Sequence, residues 1–136
     1  MADVTLVWTG DRLQFVGSTG YGGSVLVGGD PEGPGAKPSD LLPLSLAACT
    51  AYDVVEILRK QRQDLHRLEV TIRSTQDPDP PWTFRAIHLM FELTGTIEAR
   101  KAAKAVDLAE SKYCATAATL RSVVDITHEV VIVPDA

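Results

Sequence analysis

Two cysteines are the residues of this chain best suited to covalent chemistry. Cys49 lies in "LPLSLAACTAYDVVEILRK", residues 41–59, and Cys114 lies in "SKYCATAATL". Both stretches are alanine-rich and read as helix. A thiol in such a setting is either a small hydrophobe filling a core or a nucleophile whose reactivity follows its thiolate fraction. Cys114 would begin a helix, where free backbone N–H groups stabilise a thiolate, and Lys112 is close by in sequence. Cys49 falls in mid-helix, so any activation must come from residues elsewhere.

Other chemistries find little support. His66, His88 and His128 are isolated, and there is no C-x-x-C, H-x-x-x-H or H-E-x-x-H spacing for a metal. Ser45 lacks the G-x-S-x-G elbow of a serine hydrolase. "GYGG" and "VGGD" have neither the strand–loop–helix context nor the lysine of a phosphate loop. Asp53 and Glu56 are too close along one helix to flank a substrate as a carboxylate pair. They suit solvent, or a cation such as Arg59 or Lys60. A net charge of −5 and a pI near 5.1 offer no basic face for nucleic acid.

The elements that must position the cysteines follow from the pattern. "VTLVW", "RLQFVG" and "SVLVG" read as a β-meander, followed by a loop dense in Gly and Pro over residues 28–38. Residues 38–63 read as one long helix. Ser39 or Asp40 can cap it, and Pro43 is tolerated in a first turn whose N–H groups lack partners. The first half of this helix is apolar nearly all round, so it needs cover from a sheet, another helix or a partner subunit. "HRLEVTIRSTQ" and "WTFRAIHLMFELTG" alternate and form a hairpin over "DPDPP". The second strand places Trp82, Phe84, Ala86, His88, Met90 and Glu92 on one face and Arg85, Ile87, Leu89, Phe91 and Leu93 largely on the other. Residues 96–113 form an amphipathic helix with Ala102, Ala105, Val106 and Ala109 on its apolar side. "CATAATLRS" starts a short helix, and "VVDITHEVVIV" closes the chain as a strand. The order βββ-α-ββ-α-α-β gives an α+β class.

A length of 136 residues suits a single domain spanning 1–136. "MADVTLVWTG" has no basic segment followed by an apolar core, so no signal peptide is expected. The run from Leu41 to Leu58 approaches the length of a membrane span, but Asp53 and Glu56 interrupt it, favouring a buried helix over a membrane helix. Two cysteines without a secretion signal point to the cytoplasm, where a thiol pair is catalytic, redox-active or inert more often than a structural staple.

The stretch "PSDLLPLSLAACTAYDVVEILRK", followed much later by "KYCATAATL", resembles the OsmC/Ohr superfamily of thiol-based, peroxide-reducing proteins. It is most similar to the OsmC-like branch. The likeness runs from Trp8 through Thr127. It implies an intertwined homodimer in which antiparallel sheets wrap two long central helices, one from each subunit, with two active sites at the interface. It also implies that Cys49 takes the peroxidatic position and Cys114 the resolving one. Cys49 would reduce an organic hydroperoxide and become a sulfenic acid. Cys114 would close a disulfide with it, and an external dithiol would reopen that disulfide, with no metal or organic cofactor. Ohr members pair an Arg after the first strand with a Glu before the first Cys. Arg12 matches the first, while Ser39, beside Asp40, stands at the second, where it cannot form the same charged link. If Arg12 is not the activating cation, Arg85 and Lys112 are the alternatives. The resemblance is also compatible with a non-enzymatic dimer of this fold that binds a small apolar ligand at the subunit interface.

Overall fold

A computed structural model describes residues 3–135 of the chain. Its elements are β1 (Thr5–Trp8), β2 (Gln14–Ser18), β3 (Ser24–Gly28), α1 (Leu41–Lys60), β4 (Asp64–Gln76), β5 (Phe84–Thr96), α2 (Ala99–Leu108), α3 (Ala115–Leu120) and β6 (Asp125–Val133). This is the expected α+β order. The described residues fall into two compact units, one up to Leu42 and one from Pro43 onward.

The first unit is a three-stranded antiparallel meander, β1-β2-β3. Its β1–β2 turn is tightened by the Trp8 indole, whose Nε1–H donates to the Arg12 carbonyl at 2.8 Å. Leu6, Val7, Trp8, Val25 and Leu26 are exposed. A sheet with this much bare apolar surface is suited to being covered.

The second unit is built around the sheet β4-β5-β6. β4 and β5 pair as the expected antiparallel hairpin. The expectation of purely antiparallel sheets needs one correction, because β6 runs parallel to β5. Parallel neighbours require a long crossover, and the chain supplies one in α2 and α3. Ile87, Leu89, Phe91 and Leu93 on β5 are fully buried, as alternation predicts. Each such side chain contributes roughly 1.5–3 kcal/mol of burial. They pack in one cluster with Leu46, Val54 and Leu58 of α1, Ala102, Ala105 and Val106 of α2, and Ala109.

In α1, the buried residues Pro43, Leu46, Thr50, Val54 and Leu58 recur every three or four positions and, with Ala47 beside them, form one stripe. The helix is long and apolar enough to cross a bilayer by length and composition alone. Its buried stripe instead packs into this core. Leu44, Ala48 and Tyr52 are exposed on another face. The helix ends in a Schellman motif: Gln63 N–H bonds the Leu58 carbonyl at 2.9 Å, and Arg62 N–H bonds the Arg59 carbonyl at 3.0 Å. Arg62 holds the left-handed position that glycine usually takes, at φ 57°.

The expected single helix over residues 96–113 starts later, at Ala99, and widens at its end. Over Ala109–Tyr113 the turn is a π turn, closed by Cys114 N–H on the Ala109 carbonyl five residues back, at 2.8 Å. His128 of β6 secures this turn to the sheet. Its Nδ1 lies 2.9 Å from Glu110 Oε2, and its Nε2 lies 3.3 Å from Asp107 Oδ1.

Candidate functional site

Cys49 sits on α1 at the edge of its buried stripe and is half-buried, whereas Cys114 is only 2% exposed. The π turn delivers Cys114 to the start of α3. There it is the N-cap residue, in an extended conformation, and its Sγ accepts the Ala117 N–H at 3.3 Å. A cap satisfies one of the N–H groups that a helix leaves free in its first turn. The N–H groups of Ala115 and Thr116, also in this first turn, favour the thiolate form of Cys49, as does the Thr116 hydroxyl. The start of α3 therefore acts on two sulfurs from different elements, and each thiol shifts the proton affinity of the other.

The electrostatic outcome differs for the two. Burial pushes the Cys49 thiol up. Against it act the Cys114 S–H, the Thr116 and Ala115 N–H groups and the Thr116 hydroxyl, which together outweigh burial and hold Cys49 below the usual thiol range. Burial also pushes Cys114 up, and donating to Cys49 pushes it the same way. The Ala117 N–H and the Thr50 hydroxyl oppose this only in part, so Cys114 stays above the usual range. The arrangement is an anion-prone sulfur in reach of solvent beside a protonated, enclosed one.

Thr50 follows Cys49 and is fully buried. Its Oγ1 lies 2.8 Å from the Leu46 carbonyl and 3.7 Å from Cys114 Sγ. A groove of about 430 Å³ is lined by residues that include Tyr52, Asp53, Glu56, Ile57, Lys60, Leu108 and Tyr113, and by neither cysteine. Asp53 is one turn beyond Cys49, and Tyr113 directly precedes Cys114.

The structure thus brings together the two cysteines that sequence singled out. Arg12 belongs to the first unit, in the β1–β2 turn, with a left-handed backbone at φ 47°. Every group that lowers Cys49 belongs to the second unit, and none is a cation. Arg85 is engaged by Asp77 through two hydrogen bonds of 2.9 and 2.7 Å. Lys112 lies over the Tyr113 ring, 5.4 Å from its centroid. The three histidines each have partners: His66 with Asp64 and Asp135, His88 with Thr127, and His128 with Glu110 and Asp107. Sequence reasoning placed the helix start beside Cys114 but missed Thr50 and Thr116. The only available signal was their closeness in sequence to the cysteines.

Residues 29–129 match the model of the OsmC-like protein family. The chain belongs to the OsmC-like family. It is 35% identical to the protein YhfA of Escherichia coli K12 over 87% of this chain and 89% of that one. An OsmC-like protein of Mycoplasma pneumoniae superposes with a TM-score of 0.81 at 18% identity, covering 98% of this chain and 97% of the other. The organic hydroperoxide resistance protein OsmC of Legionella pneumophila, described as a predicted redox protein, superposes with a TM-score of 0.68 at 19% identity. The match covers 96% of each chain. These likenesses establish the OsmC fold for this chain.

Proposed function

We propose that this OsmC-like chain is a thiol peroxidase that reduces organic hydroperoxides through Cys49 and Cys114. The observation that carries the reading is the asymmetry of the pair: Cys49 below the usual thiol range and half-buried, Cys114 above it and enclosed. The Cys49 thiolate attacks the terminal oxygen of the hydroperoxide. An S–O bond forms as the O–O bond breaks, leaving a sulfenic acid and an alkoxide that takes a proton to become the alcohol. Cys114 then attacks the Cys49 sulfur, forming a disulfide and releasing water. An external dithiol reduces the disulfide and is itself oxidised. No cofactor takes part in these steps.

The catalytic unit in this reading is a homodimer. The exposed apolar residues of β1 and β3, and Leu44, Ala48 and Tyr52 on α1, supply the surface a second copy would cover. Arg12, in the first unit, is proposed to add a guanidinium near Cys49 in the assembled protein. Arg12→Ala is then expected to move the pH midpoint of Cys49 alkylation upward. An unchanged midpoint would leave Arg12 a turn residue.

The test is a count of free thiols before and after one equivalent of an organic hydroperoxide, followed by trapping with a dimedone-type reagent. The native chain is expected to lose both thiols. Cys114→Ser is expected to accumulate trapped sulfenic acid at Cys49, and Cys49→Ser to consume no peroxide. Thiols unchanged by peroxide would refute the reading and favour a ligand-binding dimer instead.

A further inference from the structure

Among the described residues, Thr50 alone is polar and buried in the core. Its hydroxyl carries one proton and faces two acceptors. In the resting arrangement that proton suits the Leu46 carbonyl at 2.8 Å, a common back-bond for a helical threonine. The second acceptor, Cys114 Sγ, is 3.7 Å away, within range for sulfur. The core could accommodate a valine of the same shape without any polar atom to satisfy. The hydroxyl instead lies against the one sulfur that the backbone N–H of Ala117 also contacts, at 3.3 Å.

We propose that the Thr50 hydroxyl assists disulfide closure by turning from the Leu46 carbonyl to the Cys114 sulfur as that sulfur attacks Cys49. This rests on the peroxidase reading above and assigns a further residue to its second step. In that step the Cys114 sulfur forms a bond to the Cys49 sulfur while the S–O bond of the sulfenic acid breaks. The departing hydroxide and the proton from the Cys114 thiol leave as water. The oxidising equivalent is the one already delivered by the hydroperoxide, so no further reagent is required. Thr50 neither gains nor loses its proton. It reorients, and together with the Ala117 N–H it holds the negative charge that builds on Cys114 before the S–S bond forms. A thiol enclosed by apolar side chains resists becoming a thiolate, and two donors aimed at it counter that resistance. When the dithiol later reopens the disulfide, the same two donors stabilise Cys114 as the leaving sulfur.

The experiment compares native chain, Thr50→Val and Thr50→Ser by stopped-flow after one equivalent of cumene hydroperoxide. Dimedone quenching and mass spectrometry read sulfenic acid and disulfide separately. Sulfenic acid formation at Cys49 is expected to stay within about twofold in both variants. Disulfide closure is expected to slow by about tenfold in Thr50→Val, as for loss of one hydrogen bond to a charged acceptor. Its pH profile is expected to move upward, and Thr50→Ser to restore most of both. A purely structural threonine would leave the pH profile unmoved. If Thr50→Val does not fold, Thr50→Ser against Thr50→Ala isolates the same hydroxyl. Equal closure rates with and without the hydroxyl overturn this proposal alone. Absence of sulfenic acid in the native chain overturns the peroxidase reading and this proposal with it.

Discussion

Thr116→Val is the sharpest test of how Cys49 becomes reactive. Four groups counter burial at the Cys49 thiol: the Cys114 S–H, the N–H groups of Thr116 and Ala115, and the Thr116 hydroxyl. Backbone donors cannot be deleted by ordinary substitution, but the hydroxyl can. Valine keeps the branched shape and has similar helix propensity, so α3 should persist. A hydrogen bond to a charged group contributes roughly 1.5–3 kcal/mol, and a diffuse sulfur anion belongs at the low end. Losing about 1.5 kcal/mol cuts the thiolate population roughly tenfold at any pH below the midpoint. The sign follows from which form the donor favours: it stabilises the anion, so its removal raises the midpoint and slows reaction at neutral pH. The assay is the rate of iodoacetamide labelling across pH, with the label located on Cys49 by mass spectrometry. Cys114, at 2% exposure, is expected to label far more slowly. Thr116→Ser should retain the native profile. A Thr116→Val profile superimposable on the native one would refute the reasoning and leave the backbone N–H groups as the whole cause.

Three further substitutions probe the frame around the site. Arg62→Gly is expected to raise stability by about 0.5–1 kcal/mol in urea unfolding, because it relieves a left-handed arginine at φ 57° in the Schellman turn. Gly95→Ala is expected to cost about 3 kcal/mol or more: its φ is +143°, and an added Cβ would collide with the Asp64 carbonyl oxygen opposite the bulge in β4. Glu110→Ala removes the carboxylate that His128 Nδ1 approaches at 2.9 Å. It is expected to cost about 1–2 kcal/mol and to slow disulfide closure by loosening the π turn before Cys114, read by denaturation and by free-thiol kinetics.

What was legible in the sequence follows from periodicity. Alternation exposed β5 and its buried face of Ile87, Leu89, Phe91 and Leu93, because period-2 patterning survives without knowledge of tertiary partners. Ala102, Ala105, Val106 and Ala109 marked the buried side of α2 and its continuation for the same reason at a helical period. The parallel β6 was not legible. Strand direction depends on how a crossover packs, and "VVDITHEVVIV" alternates the same way in either direction. The π turn was equally hidden, since one extra residue in a helical turn leaves no compositional mark in "AESKY".

The site was half legible for a physical reason. Cysteine type and the start of a helix can be read locally, so the N–H groups near Cys114 were expected. Their allocation could not be read, because it depends on the approach of α1. Cys114, as the N-cap, takes only the Ala117 N–H, since its own backbone geometry aims its side chain at that group. The N–H groups of Ala115 and Thr116 are left to favour an anion on a sulfur from outside the helix, and Cys49 is the thiol they lower. Mid-helix position, which by itself argues for an inert core thiol, thereby becomes the means of access. It lets Cys49 meet another helix's unpaired donors while keeping one side toward solvent. The same division explains why the two thiols diverge. The sulfur with more donors and less cover leans toward the anion, and its neighbour, donating its proton to that anion inside the core, is held as the thiol.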